Sequence, residues 1–164
     1  MHLMMKNNSI ILLIASMSLS ACANRPVANT HAINKACSLE MVTARIAIHL
    51  RDKGKNKHAM LQTLPPLKPD STRLLQQMHA IVLETYAVPS LNDVIYPTYR
   101  FEYCVRQLRK QPVPPNLQAV AKQLLNCQAR FGTQPSQQAT ECIMACFARQ
   151  STSLPTRTTL YSDE

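Results

Sequence analysis

The segment AINKACSLEMVTARIAIHLRDK, residues 32–53, decides the fold class. Ile33, Cys37, Met41, Ala44 and Ile48 recur at three- and four-residue spacing, so a helix lines them up on one stripe. Leu39, Val42, Ile46 and Leu50 form a second stripe on nearly the opposite side. A helix apolar on two faces is expected at the centre of a bundle. Gly54 is a natural stop, and Arg51, Lys53, Lys55, Lys57 and His58 crowd the turn after it, where cations oppose the helix dipole.

Working outward, the same period recurs between proline clusters. A short helix is predicted at Lys57–Thr63, started by Asn56 and ended by Pro65, Pro66 and Pro69. A third runs over Thr72–Tyr86, capped by Asp70 or Ser71, with Leu74, Leu75, Met78, Ile81, Val82 and Tyr86 inward. Pro89-Ser90 breaks the chain before a helix at Pro97–Lys110, whose inward residues are Phe101, Cys104, Val105 and Leu108. Asn116 caps a further helix to Phe131 (Leu117, Val120, Leu124, Cys127, Phe131). Gly132 ends it, and a turn over Thr133–Ser136 leads to a last helix with Ala139, Cys142, Ile143, Cys146 and Phe147 inward. Ser151 onward is polar and reads as a disordered tail.

Composition agrees. The chain has 164 residues, 46% of them apolar, with no Trp, three Phe and five Tyr. A core of Leu, Ile, Val, Met and Ala favours helices over a β-sandwich. Two glycines in the whole chain leave little material for tight hairpins or phosphate-cradling loops. The expected fold is therefore all-α, a five- or six-helix bundle over residues 32–150.

The first 22 residues tell a separate story. Lys6 is the one charge before an apolar run, Ile10–Leu19, which is too short to cross a bilayer, since that takes about 20 residues. Leu19-Ser20-Ala21-Cys22 follows: an aliphatic residue, two small ones, then cysteine. This resembles the lipobox of bacterial lipoproteins. The resemblance implies export, removal of residues 1–21, and a diacylglycerol thioether on Cys22. Residues 22–31 would then be a lipidated linker, of which Ala23–Thr30 reaches roughly 25–30 Å when extended. Ala23-Asn24 lacks the Asp that resembles an inner-membrane retention signal. The expected address is therefore the outer membrane, lipid-anchored and facing the periplasm.

Five cysteines remain after Cys22, in an oxidising compartment that favours disulfides. The turn over Gly132–Pro135 closes a helical hairpin, and residues equidistant from it face each other. That sets Cys127 opposite Cys142, with Cys127–Cys146 as the fallback. Elimination then pairs Cys37 with Cys104, tying the first helix to the fourth, and leaves the Cys146 thiol over. Cys127, Cys142 and Cys146 supply three sulfurs to a metal, but zinc usually takes a fourth ligand, and His31, His49, His58 and His79 show no partner spacing. No metal and no cofactor is expected.

No catalytic motif is present: no nucleophile elbow, no zincin helix, no phosphate loop. Glu40, Glu84, Glu102 and Glu141 fall on separate helices. The aromatic cluster Tyr96, Tyr99, Phe101 and Tyr103 is the one concentration of recognition-type side chains, and Tyr99 and Tyr103 with Arg100 and Arg106 are candidates for a recognition surface. The chain carries 18 basic and 9 acidic residues; losing Lys6 leaves about +8. On an exported protein such charge points to anionic lipid, wall carboxylates or an acidic protein rather than to nucleic acid. The expected role is a non-enzymatic, protein-binding accessory subunit of an envelope complex. A periplasmic immunity or inhibitor protein is the alternative, and an enzyme acting on wall or lipid ranks last.

Overall fold

The computed structural model describes residues 30–132 and 134–148. The expected leader, Cys22, the expected linker up to residue 29 and the expected tail from Ser151 lie outside the described residues. Within them the chain is all-helical, with no strand: α1 (Thr30–Asp52), α2 (Lys57–Leu61), α3 (Arg73–Ala87), α4 (Ile95–Leu108), α5 (Ala121–Phe131) and α6 (Gln137–Ala148). Both expected disulfides are present. Cys37–Cys104 joins α1 to α4 with Cα atoms 5.5 Å apart. Cys127–Cys142 joins α5 to α6 at 5.8 Å.

Helix ends follow local chemistry. Asn56 Oδ1 accepts from the Ala59 amide at 2.8 Å and starts α2. The cap of α3 is Thr72, whose hydroxyl accepts from the Leu75 amide, not Asp70 or Ser71; Ser71 Oγ is committed to the Lys68 amide at 2.7 Å inside the preceding turn. Asn116 Oδ1 does accept a backbone amide, that of Ala119 at 3.0 Å. It caps a single turn, however, and α5 begins only at Ala121, because Leu117 and Val120 are both drawn into the core. Likewise α4 begins at Ile95, two residues before Pro97, because Asn92 Oδ1 accepts from the amides of Val94 and Ile95. Gly54 has φ +82°. The Lys55 amide reaches back to the Leu50 carbonyl at 3.0 Å, which closes α1 with a left-handed residue that glycine adopts without a Cβ clash.

The centre of the bundle is α4, not α1. α4 packs against α1 on one side and against the α5–α6 hairpin on the other, while α3 rests on α1 and α2 on α3. Half of α4 is buried: Ile95, Tyr96, Pro97, Tyr99, Arg100, Cys104 and Val105. The Tyr99 ring stacks on Phe147 of α6 with centroids 5.4 Å apart, so an aromatic side chain fills the space between α4 and the hairpin.

α1 buries Ile33, Cys37, Ala44 and Ile48 of its first stripe. The second stripe stays out: Leu39, Val42 and Ile46 are 50%, 47% and 54% exposed, and only Leu50 is partly covered. The expectation that both stripes are covered within the chain fails because α3 and α4 occupy only one side of α1. The α3–α4 connection is held to the hairpin at two residues: the Asn92 amide donates to Gln128 Oε1 at 2.8 Å and its Nδ2 to the Gly132 carbonyl at 2.7 Å, while Gln128 Nε2 donates to the Ser90 carbonyl at 2.9 Å.

Candidate functional site

Three features of the structure are candidates for a functional site: a buried ionic network, a pocket beside the second disulfide, and the open face of α1.

The network is built around Arg100. Arg100 and Glu40 are each 1% exposed, and the guanidinium donates to Glu40 Oε2 at 2.7 Å and to Gln77 Oε1 at 2.6 Å. Glu84 lies 3.4 Å away, and its other contact is the Tyr96 hydroxyl, which donates to Oε2 at 2.8 Å. Arg73, at the start of α3, donates to the second Glu40 oxygen at 3.0 Å. Three helices, α1, α3 and α4, thus meet on one guanidinium. Burial alone would pull the Arg100 pKa down; Glu84, Tyr96 and Glu40 together outweigh it, and the pKa stands above its ordinary value. Burial pushes the Tyr96 and Tyr99 hydroxyls well up, and Glu84 adds to both shifts.

The recognition surface expected from Tyr99, Tyr103, Arg100 and Arg106 is therefore not a surface. Tyr99 and Arg100 are core residues, because the face of α4 that carries them is the one pressed between α1 and α6. Tyr103 is half-buried with the Arg100 guanidinium 5.0 Å from its ring centroid. Arg106 is turned inward, salt-bridged to Glu102 at 2.8 Å and stacked over Phe147 at 4.8 Å. The four residues are brought together, but to hold the bundle. Glu40 and Gln77 are the partners that sequence reasoning missed. Glu40 sits 60 positions from Arg100, and no local pattern marks it.

The second feature is a pocket of about 320 Å³ between α5 and α6. Cys127, Cys142 and Cys146 all line it, beside Arg130, Phe131 and Glu141. Cys146 is buried, outside both disulfides, and its Sγ donates to the Cys142 carbonyl at 3.5 Å. Among the described residues no group of three or more His, Cys, Asp or Glu is assembled to hold a metal ion.

The third feature is the outward face of α1. Leu39, Val42 and Ile46 stand along two turns of helix. Beside them a groove of about 130 Å³ runs between α1, α2 and α3, lined by Ile46, Leu50, Met60, Leu64, Met78 and Val82 among others. Of its lining residues Met60 is held from behind: its Sδ lies 3.0 Å from the Tyr86 hydroxyl, which also donates to the Lys55 carbonyl. His79 Nε2 donates to the Pro65 carbonyl at 2.8 Å, anchoring the proline loop to α3. Two of the lining side chains are methionines, which repack easily around different shapes. Lys35, Arg45, His49 and Lys53 are exposed around the stripe. The one exposed acid on α1, Asp52, is tied to Arg51 at 2.7 Å.

The sequence signal for this face is the second apolar stripe itself, which marks where the face lies but not that it stays open. Among the described residues no helix is long and apolar enough to cross a membrane. The chain matches no protein-family model, no curated protein and no solved structure.

Proposed function

We propose that this chain is a lipid-anchored lipoprotein of the cell envelope, held to the outer membrane through Cys22, and that its helical domain is a non-enzymatic, protein-binding accessory subunit of an envelope complex. The observation that carries the protein-binding part is the open face of α1. Its three large aliphatic side chains share one helix face at three- and four-residue spacing, whereas the other exposed large apolar side chains, Leu67, Leu74, Leu83 and Met144, are spread over the α2–α3 connection, α3 and α6, and clustered apolar side chains mark interaction sites. The ionic groups on α4 that looked like recognition chemistry are turned into the core, so binding falls to the face that remains. Two disulfides and a buried ionic network make the domain a stiff platform, which lowers the ordering cost of association. The anchor rests on the residues Leu19-Ser20-Ala21-Cys22 and on the apolar run before them.

Two measurements test the two halves. Cys22→Ala is expected to release the protein from the membrane fraction and to remove the acyl mass; continued sedimentation with membranes would overturn the anchor. Native gels of solubilised envelopes from a deletion strain are expected to lose or shift one complex, restored by the wild-type gene and not by Ile46→Glu. Unchanged complexes would overturn the accessory role.

A further inference from the structure

We infer that the outward face of α1, with the groove between α1, α2 and α3, receives a short amphipathic helix of another envelope protein, apolar on one side and acidic at its flanks. This rests on the protein-binding reading above and names the chemistry of the partner.

The size of the patch comes first. Leu39, Val42 and Ile46 span two turns of α1, about 10 Å of helix. Polar and charged side chains bound the patch: Asn34 and Lys35 before it, Arg45 beside it, and His49, Asp52 and Lys53 after it, all exposed. An apolar centre ringed by charge is the plan of a protein interface. A helix lying in a bilayer surface instead buries an apolar face along most of its length.

The shape comes second. Ile46 belongs both to the ridge and to the groove lined by Leu50, Met60, Met78 and Val82. The ridge and groove together accept side chains at i, i+3 or i+4, and i+7 from a helix laid alongside.

Charge comes third. Exposed cations outnumber acids around the patch: Lys35, Arg45, Lys53 and Lys57 stand against Asp52, which Arg51 already holds, and Asp93, which sits beside Arg45 and His49. This argues against a second copy of the chain. Antiparallel pairing that sets Leu39 against Leu50 brings Lys35 to the Lys53–Lys55 end of the other helix, and parallel pairing sets each lysine against itself. Either arrangement juxtaposes like charges, which costs specificity and affinity. Asp or Glu on the flanks of the incoming helix removes that cost.

The test uses the full lipidated chain in cells. A photo-reactive benzoylphenylalanine replaces Val42, and a control replaces Leu83, which is equally exposed on α3. After irradiation the adducts are digested and the contacted peptide is sequenced by mass spectrometry. The expected result is a peptide from another envelope protein, apolar at helical spacing with net negative charge, captured from position 42 and not from 83. Arg45→Glu and Lys53→Glu are each expected to lower the yield about three-fold, and Ile46→Glu to lower it about ten-fold or more. All three positions are exposed, and circular dichroism checks that the variants fold.

Adducts only with phospholipid, adducts only with a second copy, a contacted peptide without net negative charge, or equal capture from position 83 would each overturn the inference. Its failure is separable from that of the accessory role. If deletion dissolves a complex while position 42 labels only lipid, the accessory role stands and this assignment falls. If deletion leaves every complex intact and neither position captures protein, both fall.

Discussion

Replacing Arg100 with Met removes the guanidinium on which α1, α3 and α4 converge while keeping a long side chain in its place. The variant loses charge-assisted hydrogen bonds to Glu40 at 2.7 Å and Gln77 at 2.6 Å, and the weaker Glu84 contact at 3.4 Å. It leaves Glu40, 1% exposed, inside the protein with Arg73 as its remaining cation. Breaking a buried pair from one side costs about 3–5 kcal/mol. Arg73 still neutralises Glu40, and Glu84 retains some access to water, so the low end, about 3 kcal/mol, is expected. Arg100→Met combined with Glu40→Met removes the stranded carboxylate as well, and the double variant is expected to be more stable than Arg100→Met alone. The assay is urea unfolding of a lipid-free form with both disulfides intact, comparing midpoints at constant slope. A loss below about 1 kcal/mol for Arg100→Met, or a double variant less stable than the single, would refute the claim that this network holds the three helices together.

Both disulfides are expected to matter in proportion to the loops they close. Losing Cys37–Cys104, 67 residues apart, should cost about 4 kcal/mol, and losing Cys127–Cys142, 15 apart, about 3 kcal/mol on the loop-entropy model; denaturant titration of the paired Ala variants orders them. Alkaline pH should destabilise the fold. Tyr96 and Tyr99 have folded pKa values raised above the 10.0 of a solvated tyrosine, so above pH 10 the unfolded chain sheds protons that the folded one keeps. Their stabilisation is whole below pH 10 and falls by about 1.4 kcal/mol per pH unit for each tyrosine above it, which unfolding free energies measured from pH 9 to 11 check. Lys110 ends α4 with φ 56°, a left-handed conformation costly for any residue with a Cβ. Lys110→Gly is expected to raise the urea midpoint by an amount worth about 1 kcal/mol.

The helices were legible because each buries an apolar stripe at the 3.6-residue period, and proline clusters mark the gaps. The disulfides were legible because a tight hairpin fixes which residues face each other. The helix starts at Arg73, Ile95 and Ala121 differ from those expected for reasons that lie in competing turns: Ser71 serves Lys68 and leaves the cap to Thr72, Asn92 caps the turn ahead of Pro97, and Leu117 and Val120 are pulled into the core before α5 begins. The central position of α4 was not legible. Its inward side chains include Tyr96, Tyr99 and Arg100, whose polar atoms make each of them look like surface. Arg100 can be buried only because Glu40, Gln77 and Glu84 reach it from two other helices. Burial of that kind is a property of pairs distant in sequence, and a local pattern does not contain it.

The second stripe on α1 separates what the fold requires from what it does not. Apolar side chains in a core are held by packing, and truncating them typically costs 2–5 kcal/mol. Leu39, Val42 and Ile46 are about half exposed, so most of that cost is absent. Exchanging all three for Lys or Gln should change unfolding stability by only about 0.5 kcal/mol per site. Ala44 and Ile48, on the covered side of the same helix, should tolerate no such exchange. If the outward triple variant unfolds like a core variant, the stripe belongs to the domain's own stability and the open face has no function to explain. If it folds normally and the native-gel complex is lost, the aliphatic pattern that first identified α1 as a helix is divided between two roles, one face for this chain and one for its partner.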